Sequence, residues 1–214
     1  MAPKSDFIAD IGADHGLVSV ELIKREIANK VFAVENKIGP YSRLVSEIKN
    51  NLLETQIETS LSFGISYLPS NVSTVIIAGM GGKLIVDILK CHQDKLEHVN
   101  YLLVDAHSDL EYLRREVVSL GYKIENETII LEDKVYYEII LFKKGNAEYS
   151  VDEYRFGPIL IKEKEETFIL KWSMQINKYR TLLEDENINK NRKKELKNEI
   201  ERISKQLWIQ EVYC

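Results

Sequence analysis

Ile8-Ala-Asp-Ile-Gly-Ala-Asp-His-Gly16 decides how the rest of the chain is read. Phe7 to Ile11 is a short apolar run, stopped by Gly12. Asp10 lies near its end, Gly12 makes a turn, and Gly16 opens a helical pattern carried by Leu17, Val20, Leu22, Ile23 and Ile27. Glycines at such a turn let backbone approach a ligand closely. The spacing is not G-x-G-x-x-G, so the dinucleotide fingerprint fails. A pyrophosphate at a helix N-terminus also needs uncompensated N–H groups, and Asp10 and Asp14 oppose one. The same carboxylates suit a ligand with positive charge, such as the amino or sulfonium group of S-adenosylmethionine. The competing reading is a plain strand-to-helix turn capped by Asp14.

Working outward, strand-like and helix-like patterns alternate to about residue 145. Val31-Phe-Ala-Val34 reads as a second strand, and Gly39-Pro40 starts a helix through Leu44, Val45, Ile48 and Leu52. Glu58 to Phe63 and Val72 to Ala78 read as the third and fourth strands; Gly79-Met-Gly-Gly82 ends the fourth. Leu84, Ile85, Ile88 and Leu89 mark a helix, and Tyr101 to Val104 a fifth strand. Asp109 to Leu120 is a helix closed by Gly121. Tyr122 to Leu131 and Val135 to Phe142, joined by Glu132-Asp133-Lys134, make a hairpin. Five βα units followed by a hairpin predict an α/β fold: a mostly parallel sheet wrapped by helices, with an antiparallel C-terminal hairpin. Such sheets bind ligands at the carboxyl ends of their strands.

Residues 149–214 read as a second, helical domain after an α/β domain of 1–148. Tyr154-Arg-Phe-Gly-Pro158 reads as a turn. Phe168, Ile169, Trp172, Ile176, Tyr179, Leu182 and Leu183 form one helical stripe, and Leu196, Ile200, Ile203 and Leu207 another. Two amphipathic helices with a short link predict an antiparallel, coiled-coil-like hairpin.

The 214 residues carry a net charge of −5, which does not advertise a nucleic-acid binder. From residue 151 onward, however, 13 basic residues nearly balance 12 acidic ones, so a polyanion is expected to touch this part. The cysteines, Cys91 and Cys214, match no metal spacing and fit a reducing, cytoplasmic setting. No metal, no membrane span and a monomer are expected. The opening Met1-Ala-Pro-Lys-Ser-Asp is neither a signal nor a transit peptide. It leads abruptly into a core strand, so a covering N-terminal helix is expected to be missing.

The candidate site residues lie on the strand-end loops. Asp10, Gly12, Asp14 and His15 form the first cofactor loop. Glu35, 23 residues after Gly12, ends the second strand where a carboxylate accepts hydrogen bonds from both ribose hydroxyls, with Asn36 assisting. Ala78, Gly79 and Met80 flank the cofactor, and Gly81 and Gly82 leave backbone open to a substrate. Asp105 and His107 end the fifth strand and are the candidate catalytic residues; capping of the next helix is their alternative, with Ser108 and Asp109 as competitors. Tyr41 and Tyr136 are candidates to stack on a base, against the alternative of a buried core tyrosine. Lys190, Arg192, Lys193 and Lys194, with Lys197, form a basic cluster that reads as a phosphate contact or as a solvated helix face.

Asp10-Ile-Gly-Ala-Asp-His15, Gly39-Pro-Tyr41, Ile77-Ala-Gly-Met-Gly-Gly82, Leu113-Arg114 before Gly121-Tyr122, and Tyr136-Tyr-Glu138 together resemble the bacterial tRNA (adenine(22)-N1)-methyltransferase family. The resemblance runs from about residue 7 to the C-terminus. It implies a Rossmann-like class I methyltransferase domain, S-adenosylmethionine as cofactor, tRNA as substrate and partner, and a C-terminal helix pair that helps to hold the RNA. Two departures stand out. The chain has Ser62-Phe63-Gly64 where the family usually has Gly-Asp-Gly, so an acidic contact to the adenine of the cofactor is expected to be lost; Phe63, with its backbone N–H, and Gly64 are the cofactor-binding candidates there. It has Asp105-Ala-His107 where the family usually has Gln-Pro-Asn.

The chemistry so implied is in-line attack by adenine N1 on the cofactor methyl. N1 is neutral and its lone pair lies in the ring plane, so no base is needed, and the target base must be unstacked. The alternatives are a methyltransferase of another acceptor and a non-catalytic RNA-binding relative. A protein-contact module using Trp208 or Tyr213 is a further reading.

Overall fold

The computed structural model describes residues 1–185 and 187–208. Tyr213 and Cys214 lie outside the described residues, as does the side chain of Trp208. The N-terminal part alternates β1 (Ser5–Ile11), α1 (Leu17–Lys24), β2 (Ala28–Glu35), α2 (Ile38–Asn50), β3 (Ile57–Leu61), β4 (Thr74–Met80), α3 (Gly82–Cys91), β5 (Tyr101–Ala106) and α4 (Leu110–Ser119). The hairpin β6 (Tyr122–Glu132) and β7 (Val135–Lys144) follows. One seven-stranded sheet forms in the order β3-β2-β1-β4-β5-β7-β6. All neighbours from β3 to β5 are parallel, while β7 runs antiparallel to β5 and β6 to β7.

Two buried faces explain the continuous apolar runs of the central strands. Phe7, Ala9 and Ile11 of β1 point into one core with Val75, Ile77, Ile85, Leu89 and Leu113. Ile8 points into the other with Val20, Leu22, Leu44 and Ile48. The first core is the α3/α4 side, the second the α1/α2 side. The alternation follows from the period of two along a strand. Strand order reverses between β1 and β4, so the loops after β1 and β4 diverge at one crevice.

Three sequence expectations are corrected. The β3–β4 connection carries no helix, so that βα unit is absent; residues 62–73 cross over as turns around buried Ile65, Leu68 and Val72. The fourth strand does not end at Ala78 but runs to Met80 through a bulge between these two residues, with Gly79 at φ +75. The expected turn at Tyr154–Pro158 is two short helices, α5 (Val151–Phe156) and α6 (Pro158–Glu163). A Ser150/Glu153 capping box starts α5, Gly157 at φ +90 breaks the chain, and Pro158 takes the first turn of α6.

α7 (Glu166–Leu183) and α8 (Lys190–Trp208) are the two long helices, and α8 folds back so that Ile176 and Ile203 meet in one core. That core also holds Phe156, Leu160, Phe168, Trp172 and Ile129 of β6. The helices therefore pack on the hairpin end of the sheet and not on each other alone. No helix among the described residues is long and apolar enough to cross a membrane, and none of their His, Cys, Asp and Glu clusters could hold a metal ion.

Candidate active site

Gly12 and Gly16 carry positive φ angles of 78° and 76°, and Asp14 between them has 46°. The loop after β1 therefore folds back tightly, and the N–H groups of Gly12 and Ala13 both reach Val34 O, at 2.8 and 2.9 Å. Glu35 fastens this loop to the next one. Its Oε2 accepts from Asp14 N at 3.2 Å, and its Oε1 accepts from Asn36 N and Lys37 N, each at 2.9 Å. The side chain is 6% exposed, so both loops are shaped around one buried carboxylate. Ser62 N donates to Glu35 O at 3.0 Å, which draws the β3 end to the same place. Phe63 is half exposed beside it, and Gly64 has φ +59 and packs against Ile88.

Asp10 is not at the open surface. It is 4% exposed, and its Oδ2 accepts from Ser19 Oγ at 2.6 Å. Burial lifts its carboxyl to about 6, against the opposing pull of the Ser19 hydrogen bonds. Its side chain ties α1 to β1 through Ser19 and does not stand open at the loop surface. Asp14 and His15 are the exposed acidic and basic groups of the loop. Asp14 lies 3.6 Å from His15 and 3.5 Å from Arg43 of α2. Arg43 escaped the sequence reading because its partner lies on a different element; a cation one turn after Gly39-Pro-Tyr41 carried the only signal.

Across the crevice, Met80 reaches toward the first loop. A Cβ on Gly12 would stand 2.2 Å from Met80 Cε, the movable end of a flexible side chain, so it is the φ of +78° that favours a glycine where the loops meet. Gly82 is explained differently from its sequence reading. It is buried, its N–H donates to Ser108 O at 3.0 Å, and an added Cβ would stand 2.6 Å from that oxygen. Its smallness lets two loops touch and does not expose backbone to a substrate. Gly81 is part-buried beside Ser108 Oγ.

The β5 end brings Asp105 and His107 to the same rim. His107 N donates to Met80 O at 2.9 Å, and its ring meets Tyr137 edge-on with centroids 5.9 Å apart. Asp105 Oδ1 is buried without a hydrogen-bond partner among the described residues. Burial raises its carboxyl above the ordinary range, partly offset by His107 and by the Gly79 backbone. Neither residue caps the next helix, because Asp109 takes the N-cap position, though without a side-chain cap bond. Tyr41 and Tyr136 are both part-buried. Tyr41 packs on the second core and hydrogen-bonds Thr59 Oγ1 at 3.0 Å; Tyr136 packs on the helical core and meets the Met174 sulfur. Lys190, Arg192, Lys193 and Lys194 stand in the first turns of α8, with Arg192 paired to Glu195 at 2.9 Å.

Leu113-Arg114 and Tyr136-Tyr-Glu138 meet in an ion network beneath α4. Fully buried Arg114 donates to Glu127 and Glu138, both at 2.7 Å, and to Tyr154 O at 3.3 Å. Lys171 of α7 pairs with the other oxygen of Glu138, and Ile159 N of α6 donates to Glu127 at 3.1 Å. Burial alone would raise Glu138; Arg114 and Lys171 overcome it and hold its carboxyl below the usual value. One network thus joins α4, whose N-terminus carries the rim, to β6, β7, α6 and α7.

A parallel sheet with its switch point between β1 and β4, an acidic residue closing β2, and a final antiparallel β7 define a class I, Rossmann-like methyltransferase. Positive-φ glycines and the buried Glu35 carboxylate stand together at this crevice. The family model for tRNA (adenine(22)-N(1))-methyltransferase matches residues 8–205. The chain belongs to this family. It is 27% identical over 212 residues to the tRNA (adenine(22)-N(1))-methyltransferase of Bacillus subtilis, covering 93% of this chain and 89% of that protein. A Streptococcus pneumoniae structure in complex with S-adenosyl-L-methionine superposes with a TM-score of 0.90 at 29% identity, covering 97% of this chain and 94% of the other. Mycoplasma capricolum TrmK in complex with S-adenosyl-homocysteine gives 0.86 at 26% identity, covering 97% and 93%.

Proposed function

We propose that the protein methylates N1 of adenine 22 in tRNA, with residues 1–148 holding the cofactor and residues 149–214 helping to hold the RNA. The observation that carries this reading is Asp105: an unpartnered buried carboxylate oxygen on the rim, beside His107 and across Met80 from the Gly12 loop. S-adenosylmethionine supplies an electrophilic methyl on a sulfonium. Glu35 accepts from the ribose hydroxyls by giving up part of its present hold on backbone N–H groups, and Asn36 assists. Asp14, Gly12, Gly79 and Met80 wall the methionine end, and Phe63 offers its ring edge and backbone to the adenine of the cofactor.

Asp105 then acts on the target base. Its free oxygen accepts from the N6 amino group, orienting N1 toward the methyl. As N1 is alkylated the ring becomes cationic, its amino N–H becomes a stronger donor, and a desolvated carboxylate gains most from that change. His107, fixed by Tyr137, closes the rim against water. No residue has to remove a proton for attack to begin. A cytoplasmic, monomeric protein is part of the same reading.

Unmodified tRNA transcript and labelled S-adenosylmethionine test it directly. Label is expected in 1-methyladenosine, and an adenine 22→guanine transcript should take up none. Label in another nucleoside, or in protein, would sink the assignment. A transfer-dead protein that still binds tRNA would establish the non-catalytic alternative.

A further inference from the structure

A cavity of about 680 Å³ runs from His107 and Ser108 on the rim, past Tyr112 and Arg115 of α4, to Arg155, Lys171 and Trp172. It shares Glu111 and Arg155 with a second cavity of about 450 Å³, which continues to Tyr179 and Arg192. The two form one groove from the proposed base pocket to the basic start of α8. Its floor is built: Glu138 is held by buried Arg114 on one side and Lys171 on the other. Two residues of its wall, Arg155 and Trp172, carry donors, Nε and Nε1, that are buried without a hydrogen-bond partner among the described residues. Buried donors of this kind are rare in finished structures and point to an acceptor-bearing ligand or water.

The two arginines are held in place yet keep capacity. Arg115 lies 4.4 Å over the Tyr154 ring and directs Nε and Nη2 to Glu111. Arg155 lies 5.8 Å over Trp172 and directs Nη2 to Glu199 at 3.2 Å. Among the described residues no hydrogen bond uses Nη1 of either. Tyr112, 38% exposed, offers an aromatic face on the same wall. Aromatic faces alternating with guanidinium groups in a groove suit a single nucleic-acid strand, whose bases stack and whose phosphates take arginine.

We propose that this groove seats the nucleotides flanking the target adenine: Arg115 and Arg155 grip successive phosphates, Tyr112 stacks on a neighbouring base, and the strand leaves toward Arg192. The inference rests on the methyltransferase reading above, since the groove matters only if a base is delivered to Asp105 and His107. Seating a flanking strand also unstacks the target, which the chemistry at N1 requires.

The test uses the full chain. Arg115→Gln, Arg155→Gln, Arg155→Lys and Tyr112→Ala are compared with wild type for S-adenosylmethionine binding by calorimetry. The tRNA affinity is followed across salt concentrations by fluorescence anisotropy, together with initial methylation rates. Each Gln variant should weaken tRNA binding about 5- to 10-fold and lower the salt slope by about one, with cofactor affinity unchanged. Arg155→Lys should recover much of the salt slope, and Tyr112→Ala should weaken binding without changing it. Arg25→Gln, on the opposite end of the sheet, should alter nothing. Unchanged tRNA affinity and salt slope in both Gln variants overturns the proposal, as does a loss of cofactor binding equal to the loss of tRNA. Wild type that binds tRNA through these arginines but transfers no methyl would sink the catalytic reading and leave the groove; wild type that binds no tRNA sinks both.

Discussion

At Asp10, burial and hydrogen bonding pull in opposite directions, and burial wins. The folded carboxyl titrates near 6 against 3.8 for the free group, so the folded protein holds more protons between these values. Stability therefore falls as pH rises from about 4 to about 6 and levels off above, a cost of about 3 kcal/mol at neutral pH. Asp10→Asn should flatten that stretch in urea denaturation at several pH values and match or exceed the parent at pH 7.5; an unchanged slope would show that another group titrates there. Glu35 is a buried carboxylate that accepts from three backbone donors. Glu35→Gln should weaken S-adenosylmethionine binding by about 10-fold or more in calorimetry, because a charged acceptor to hydroxyls becomes neutral. Asp105→Asn should lower kcat by about 10²-fold with little change in cofactor affinity. The rate of the parent should fall as pH drops through the raised Asp105 range, and the Asn variant should lack that limb. That Glu35 ends the second strand was legible in the sequence. The burial of Asp10 was not, because an acidic residue near a strand end looks the same whether its side chain meets water or Ser19.

At the scale of elements, glycines mark where one segment touches another. Gly82→Ala would push a methyl to 2.6 Å from the Ser108 carbonyl, which is backbone and cannot turn aside. Overpacking of this kind costs about 1–3 kcal/mol. The variant should melt several degrees lower in calorimetry and also lose activity, since Ser108 follows the His107 rim directly. The strands, the hairpin and both long helices were readable from apolar period alone. The missing helix between β3 and β4 was not, because Ile65, Leu68 and Val72 are apolar at near-helical spacing while the chain there is a set of turns. Nor was the α5–α6 break: Gly157 and Pro158 announce a bend, but whether helix stands on either side depended on Ser150 and Glu153 closing a capping box.

Across the whole molecule, the Arg114 network links the helix that follows the β5 rim to the helical pair. Arg114→Leu would leave buried Glu127 without a cation and Glu138 with Lys171 alone, and should cost about 3–5 kcal/mol in urea denaturation. Arg114→Lys should rescue little, because one ammonium cannot fork between both partners. Sequence by itself determined the strand order's ingredients, the glycine turn at Gly12 and the carboxylate that ends the second strand, the family, and the existence of two long C-terminal helices. All are written in local period and short spacing. Tertiary structure alone decided that Asp10 is buried, that Gly82 serves loop contact, that Tyr41 and Tyr136 are part-buried, and that Arg114, Glu127, Glu138 and Lys171 are one unit. These depend on which residues distant in the chain come within a few ångströms, and on how much water is left between them. No local pattern encodes either quantity, because both arise only when the sheet and the helices close on one another.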